Sequence, residues 1–319
     1  MVIINECIKK AEDLITSHEQ TRAGFVEAAL EKNRISMPYI EEAKTLKILA
    51  SKANDPKQLL NIPTIQTSLL TAAGLSDKSL KYFTDNDKVS AIEKMIDEFL
   101  IPAGTGFVEE LVYRFLIIKG DSLGGKMRNL TGQIAEMKLK RKILNLLSMS
   151  QVDYKVLLKN KTKKKWSSLS YEDAYMQASD ICAMSWTYQG QNKVLIFNKK
   201  IPAVNNNVDI CLFNGCPETF DNGKIVEKAE LAIMFGELKG GIDPAGADEH
   251  WKTGNSALER IRKAFKDYDV KTSFIGAAIE KNMASEIFSQ LNAGTLSNAA
   301  NLTIDIQLTN YCEWLIKLK

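Results

Sequence analysis

The sequence predicts an α/β protein, a helical first half followed by a mixed-sheet second half, and three observations predict it. Apolar residues recur every three or four positions from about residue 20 to residue 148, the period of helices with one buried face. Beyond a lysine-rich stretch the pattern changes to short runs rich in β-branched residues, bounded by Asn and Gly. Helix candidates alternate with those runs, as in a mixed sheet with helices packed on it. The end of the lysine run sets the boundary, giving a helical domain over residues 1–165 and an α/β domain over 166–319.

In the first half, Phe25, Ala28 and Ala29 mark one helical segment, Ile92, Met95, Ile96 and Leu100 a second, and Ile134, Met137, Leu139, Ile143, Leu146 and Leu147 a third. Turn signals at Asn54-Asp55-Pro56, Asn61-Ile62-Pro63, Thr84-Asp85-Asn86-Asp87 and Lys119-Gly120-Asp121-Ser122 separate such segments, so several medium helices are expected. In the second half the patterns predict a helix over 171–187, then strands over 193–197, 207–213 and 231–239. A helix over 254–267 and strands over 273–279 and 302–306 complete the order. There is no internal repeat.

A chain of 319 residues suffices for about two domains. Its 45% hydrophobic and 25% charged residues, with 18 Gly and 7 Pro, exclude disordered and fibrous classes. The apolar stretch 111–118 is broken by Arg114 and falls far short of the roughly 18 residues of a membrane span. Glu6, Lys9, Lys10, Glu12 and Asp13 stand where a secretory signal needs an apolar core, so no membrane association and a cytoplasmic location are expected. Cys7, Cys182, Cys211, Cys216 and Cys312 are odd in number, scattered and without a zinc-site pattern; reduced, mostly buried thiols are expected. The net charge of +3 conceals an asymmetry, because residues 138–165 carry nine Lys and Arg141 against Asp153 alone. The run Lys159, Lys161, Lys163, Lys164 and Lys165 beside Trp166 reads either as a solvated loop or as an arm on nucleic-acid phosphates.

Two signatures overlap at residues 120–128, and both fail. Gly120, Gly125 and Lys126 fit a phosphate-binding loop, but Met127 stands where Ser or Thr must hold magnesium. Gly120-Asp121-Ser122-Leu123 spells the nucleophile block of GDSL-type hydrolases, yet neither His18 nor His250 has the Asp three residues earlier that such an enzyme needs. A glycine-containing turn near helix ends is the expected use of these residues.

Asp209 and Glu237-Leu238-Lys239 form the stronger constellation. The spelling E-x-K also occurs at Glu42/Lys44 and Glu136/Lys138, but those lie on helical patterns, whereas Glu237 and Lys239 end a strand and share one face by period two. Asp209 likewise interrupts the apolar run Val208 to Phe213. Two carboxylates and an ammonium at strand ends are costly to desolvate unless they bind something. Metal-assisted phosphodiester hydrolysis wants this trio: Asp209, Glu237 and the Leu238 backbone carbonyl offer the hard oxygens that Mg2+ prefers. Lys239 can orient or deprotonate the attacking water and stabilise growing phosphate charge. The alternative is a surface Glu/Lys pair with an unrelated Asp.

The run that follows, Gly236-Glu237-Leu238-Lys239-Gly240-Gly241-Ile242-Asp243-Pro244-Ala245-Gly246-Ala247-Asp248-Glu249-His250-Trp251-Lys252-Thr253, resembles the AvaI/BsoBI family of type II restriction endonucleases. The resemblance extends through Thr21-Arg22-Ala23-Gly24-Phe25, Leu69-Leu70-Thr71-Ala72-Ala73-Gly74, Glu110-Leu111-Val112-Tyr113-Arg114-Phe115-Leu116 and Gly120 to Gly125. Val208 replaces the proline usual before the first Asp of the wider PD-(D/E)XK superfamily; that proline makes no chemical contact.

The resemblance implies a PD-(D/E)XK restriction-endonuclease-like mixed-sheet core with a large helical N-terminal domain that clamps double-stranded DNA. It implies a homodimeric, Mg2+-dependent endonuclease cutting CYCGRG after the first cytosine to leave 5′ overhangs, with a cognate DNA methyltransferase in the same system. By resemblance the catalytic residues are Asp209, Glu237, Lys239 and His250, the last in a loop that reaches back toward the strand end. Lys78 and Asp243 are the implied base readers, with Arg22, Arg128 and Lys126 as alternatives. A catalytically silent DNA-binding protein and a repair or junction-resolving nuclease are the competing readings.

Overall fold

The structure is a computed structural model that describes residues 5–76, 78–127, 129–159 and 165–319, apart from the side chains at 126, 127 and 222. The first helices are α1 (His18–Ala50), α2 (Gln66–Ala72), α3 (Asp85–Met95) and α4 (Phe107–Met127). Polar caps begin two of the helical turns where the sequence carries turn signals. Asp55 accepts from the Lys57 N–H at 2.7 Å ahead of a 3-10 turn, and Thr84 with Asp87 forms a capping box on α3. Each satisfies N–H groups that a helix start leaves without partners. Leu46, Leu59, Leu69, Ile92, Leu111 and Phe115 meet in one buried core.

Two expectations fail in this part. α1 runs 33 residues through Pro38, longer than a medium helix. The turn at Gly120 is absent because α4 continues through it: the buried stripe of Val108, Leu111 and Phe115 resumes at Leu123, about two turns on. Gly120, Gly124 and Gly125 face open space where a Cβ would stand. Phosphate loops place their glycines ahead of a helix, not inside one.

After α5 (Leu130–Met149) come β1 (Tyr154–Leu158), α6 (Tyr171–Met176), β2 (Ile181–Tyr188), β3 (Gln191–Ile201) and β4 (Asn206–Asn214). α7 (Pro217–Phe220), β5 (Ala232–Lys239), α8 (Ala247–Ala264), β6 (Lys271–Gly276), α9 (Lys281–Ala293), β7 (Asn298–Asn301) and α10 (Asp305–Lys317) follow. The strands form one sheet in chain order, antiparallel from β1 to β5 and parallel from β5 to β7. Trp251, Leu258 and Ile261 of α8 with Met283 and Ile287 of α9 cover one face. Leu139, Ile143 and Leu147 of α5 with Leu308, Tyr311 and Leu315 of α10 cover the other. This α/β/α layering explains strands that read as nearly continuous apolar runs.

The helix expected over 171–187 stops at Met176, and a 3-10 turn (Ala178–Asp180) and β2 follow. Gln189 and Gly190 close the β2–β3 hairpin with φ of 49° and 79°, both positive as a two-residue turn of this hand requires. β1 has no counterpart among the expected strands. The strand expected over 302–306 lies earlier, as β7, whose four residues are all buried; burial beside β6 outweighs the β-branched preference of Thr303, Ile304 and Ile306.

The chain divides into two compact units, Glu27–Asn129 and the remainder, so the break falls near 26 and 129 rather than at 165. α5 and β1 go with the sheet because α5 buries its apolar stripe there. The N-terminal segment is stitched to the same unit: the Thr16 N–H donates to the Ile279 carbonyl at 3.0 Å, and the Ile279 N–H returns to Thr16 Oγ1 at 2.9 Å.

Gly240, just past β5, is pressed against α5, and a Cβ there would collide with the Thr131 carbonyl oxygen. Gly240→Ala is expected to destabilise the sheet unit by about 1–3 kcal/mol, read as a lower urea midpoint; an unchanged midpoint would mean that α5 can retreat. None of the five cysteines, all of them among the described residues, is joined in a disulfide, and Cys211 and Cys312 are buried. Among the described residues no helix is long and apolar enough to cross a membrane.

Candidate active site

Alternation along β5 puts Phe235, Glu237 and Lys239 on the α8 side of the sheet. Phe235 is in the core, and the strand's last residues, still on that face, emerge from it. β4 brings Asp209 alongside on the same face as Cys211 and Phe213. The Leu238 N–H donates to Asp209 Oδ2 at 2.8 Å. The Lys239 ammonium donates to Glu237 Oε2 at 2.7 Å and stands 3.8 Å from Asp209 Oδ2. In an extended strand a residue's N–H and C=O point to the same side, so the Leu238 carbonyl also faces Asp209. The Lys239 carbonyl points the other way and accepts from the Ala277 N–H at 2.9 Å.

One ammonium therefore serves two carboxylates. The Glu237 side chain is only 5% exposed, and burial first, then the Asp209 charge, push its pKa up from 4.5 to about 7 despite Lys239. Asp209 is also raised, by burial before anything else, while Lys239 and the Leu238 N–H pull it down. For Lys239 burial favours the neutral amine, but the charges of Glu237 and Asp209 outweigh it and hold the pKa above its ordinary value. Lys239 is thus a cation in a site still short of positive charge. Among the described residues no group of three His, Cys, Asp or Glu is placed to hold a metal. Magnesium commonly takes only one or two carboxylates and completes its shell with water and substrate phosphate, so Asp209, Glu237 and the Leu238 carbonyl fit it.

These residues open into a cleft of about 530 Å³, also lined by Lys200, Asn205 to Asn207, Thr253 and Arg260. A larger cleft of about 880 Å³ lies at the β1–β2 edge between Tyr154, Trp186 and Glu218, away from the buried carboxylates. Chemistry, not size, selects the smaller one.

The chain matches the family model described as Restriction endonuclease BsobI over residues 4–318. It belongs to that family. It is 48% identical to the type II restriction enzyme BsoBI of Geobacillus stearothermophilus, over 98% of this chain and 97% of that one. It is 48% identical as well to the type II restriction enzymes AvaI of Nostoc sp. (strain PCC 7120 / SAG 25.82 / UTEX 2576) and of Anabaena variabilis, over 98% of each chain. The protein is accordingly a type II restriction endonuclease.

Within this BsobI-family fold the other expected site residues are dispersed. His250 is on α8, not in a loop. Its half-buried ring packs so closely on Gly241 that a Cβ there would collide with Cε1. It shares a helix face with Thr253, Gly254 and Ala257, three, four and seven residues on; Gly254 lies against the Lys239 side chain, where a Cβ would stand 3.5 Å from Cε. Asp243 is exposed and caps a 3-10 turn, its Oδ1 accepting from the Ala245 N–H at 3.0 Å. Lys78 is exposed in the Glu27–Asn129 unit, and Arg22 is exposed on α1. The side chains of Lys126 and Arg128 lie outside the described residues.

The two decoy E-x-K pairs lie on helices, α1 and α5. The basic stretch is split. Lys140 is buried, paired with Glu136 and donating to the Ile181 carbonyl at 2.5 Å, while Lys138 and Lys142 face Asp305. Lys161, Lys163 and Lys164 lie outside the described residues, and Lys165 is exposed.

Proposed function

We propose that this restriction endonuclease hydrolyses double-stranded DNA at CYCGRG after the first cytosine, with Mg2+, using Asp209, Glu237 and Lys239. The observation that carries the catalytic assignment is the buried Glu237 sharing one ammonium with Asp209 at the mouth of a polar cleft. Asp209, Glu237 and the Leu238 carbonyl would hold the cation, which supplies charge neutralisation for the scissile phosphate and acidifies its water. Lys239, kept protonated by its two carboxylate neighbours, donates to phosphate oxygen as charge grows during attack rather than removing the proton. Water adds to phosphorus and gives up a proton to the His250 imidazole, the P–O bond to the leaving sugar oxygen breaks, and that oxygen takes up a proton from solvent water.

The reading includes a homodimer, since a twofold site offers each strand to one copy of the cleft. The helical Glu27–Asn129 unit acts as the DNA clamp, and Lys78 and Asp243 read base edges. A cognate methyltransferase protects the host, and the enzyme works in the cytoplasm. Digestion of a sequenced plasmid with end mapping tests the reading. Discrete fragments with 5′ overhangs at CYCGRG, formed with Mg2+ and not with chelator, are expected; a smear or ends at another sequence would refute it.

His250 belongs to the site in this reading, acting on the attacking water from one turn N-terminal of Thr253. Single-turnover cleavage by His250→Ala is expected to fall about 10²-fold, with DNA affinity in Ca2+ unchanged. Gly241→Ala, which must displace the ring, is expected to share the loss. Normal rates in both variants would reduce His250 to a packing residue.

A further inference from the structure

The catalytic cleft has a second wall that neither the carboxylates nor His250 uses. Its charged members are Arg260, on the exposed side of α8, and Lys200, near the end of β3; Asn205, in a left-handed turn with φ 53°, leads into Asn206 and Asn207 at the start of β4. Arg260 is close enough for its charge to act on Glu237. The wall also continues. Thr253, Ser256, Arg260 and Lys263 recur at three, four and three residues, which places them in one stripe along α8, and all four line a shallow groove of about 570 Å³. Thr253 and Arg260 belong to both hollows, so the groove leads directly out of the cleft. Lys252, which also lines it, is tied to Asp248 at 2.6 Å, and Glu259 is the acid on its rim.

Two hydroxyls followed by two cations along an exposed helix, continuous with a phosphodiester-cleaving cleft, offer hydrogen-bond donors and positive charge to successive phosphates of a nucleic-acid strand. We propose that Arg260 grips a phosphate adjoining the scissile one, and that Ser256 and Lys263 carry the same strand's backbone away along α8. The inference rests on the nuclease reading of the Asp209–Glu237 cleft. Arg260 is then a substrate-positioning residue. Its fork holds phosphate oxygens two at a time, fixing the strand's register so that the scissile phosphorus meets the water at Glu237.

The test uses the full-length enzyme and a duplex carrying one CYCGRG site. Affinity is measured in Ca2+ from 50 to 300 mM salt, and cleavage in Mg2+ under single-turnover conditions. Arg260→Gln with Lys263→Gln is expected to flatten the slope of log affinity against log salt by about 0.9 per lost phosphate contact, near 1.8 in all. Arg260→Gln alone is expected to slow cleavage about 10²-fold through misplacement of the strand, with partial recovery in Arg260→Lys. Lys317→Gln, on α10 across the sheet, is expected to leave slope and rate unchanged. All these side chains are exposed, and an unchanged thermal midpoint checks folding. An unchanged slope in the double variant overturns the proposal. A slower rate with an unchanged slope also overturns it, assigning Arg260 to the electrostatics of Glu237 instead. If wild-type enzyme and Asp209→Ala cleave alike, the nuclease reading of the cleft has failed instead.

Discussion

Asp209→Ala and Glu237→Ala are expected to lose cleavage by at least about 10³-fold while retaining specific DNA binding measured in Ca2+. Each removes a hard oxygen donor from a pair that shares a single ammonium, and neither carboxylate can favour the approach of a phosphate by its own charge. Cleavage near the wild-type rate by either variant would place the chemistry elsewhere. A pH signature follows from Glu237. Its folded pKa of about 7 lies above its ordinary 4.5 because burial and Asp209 disfavour the anion. The neutral carboxyl therefore contributes stability that is present below about pH 4.5 and lost as pH rises through 7. Without metal, Glu237→Gln should melt higher than wild type at pH 8, and the difference should shrink on acidification. A bound cation favours the anion, so the Mg2+ concentration giving half-maximal rate should fall between pH 6 and pH 8. A requirement for Mg2+ that ignores pH would contradict this account of Glu237.

Lys239→Met is expected to cost at least about 10²-fold in single-turnover rate. The thioether keeps much of the side chain's bulk but removes the ammonium paired with both carboxylates, so Glu237 should titrate higher still and the pH–rate profile should move to higher pH. Lys239→Arg restores charge without restoring geometry, because a broad guanidinium replaces a compact ammonium on a side chain whose Cε lies against Gly254; it should recover the profile more than the rate. A loss below tenfold in Lys239→Met would remove Lys239 from the chemistry.

The centre of this site is legible in the sequence because strand alternation is rigid. Residues two apart on β5 must share a face, which pairs Glu237 with Lys239, and Asp209 stands out as a charge inside an apolar run. The opposite wall is not legible. Lys200 and Asn205 to Asn207 line one cleft with Arg260 only because α8 packs on the sheet near the β3–β4 turn, a fact of tertiary packing. Other signals are present but short. Gln189-Gly190, two residues between two apolar runs, marks the hairpin that turns 181–188 into a strand. Asp243-Pro244 followed by Asp248-Glu249 marks a helix beginning well before 254, which puts His250 on α8. Gly120 misleads in the other direction: it punctuates the sequence, but Leu123 keeps its helix anchored. Residues 298–301 carry no strand signal because Asn-Ala-Ala-Asn has no β-branched member; only its neighbour β6 makes it a strand.

In this site Asp209 and Glu237 are expected to hold the cation at which DNA is cut. A crystal structure of the enzyme with an uncleaved CYCGRG duplex in Ca2+ tests it most directly. A cation bound by both carboxylates and the Leu238 carbonyl is expected, with a phosphate of the strand as a further ligand and the Lys239 ammonium on that phosphate. A cation held elsewhere, or DNA whose phosphates bypass the cleft, would contradict it.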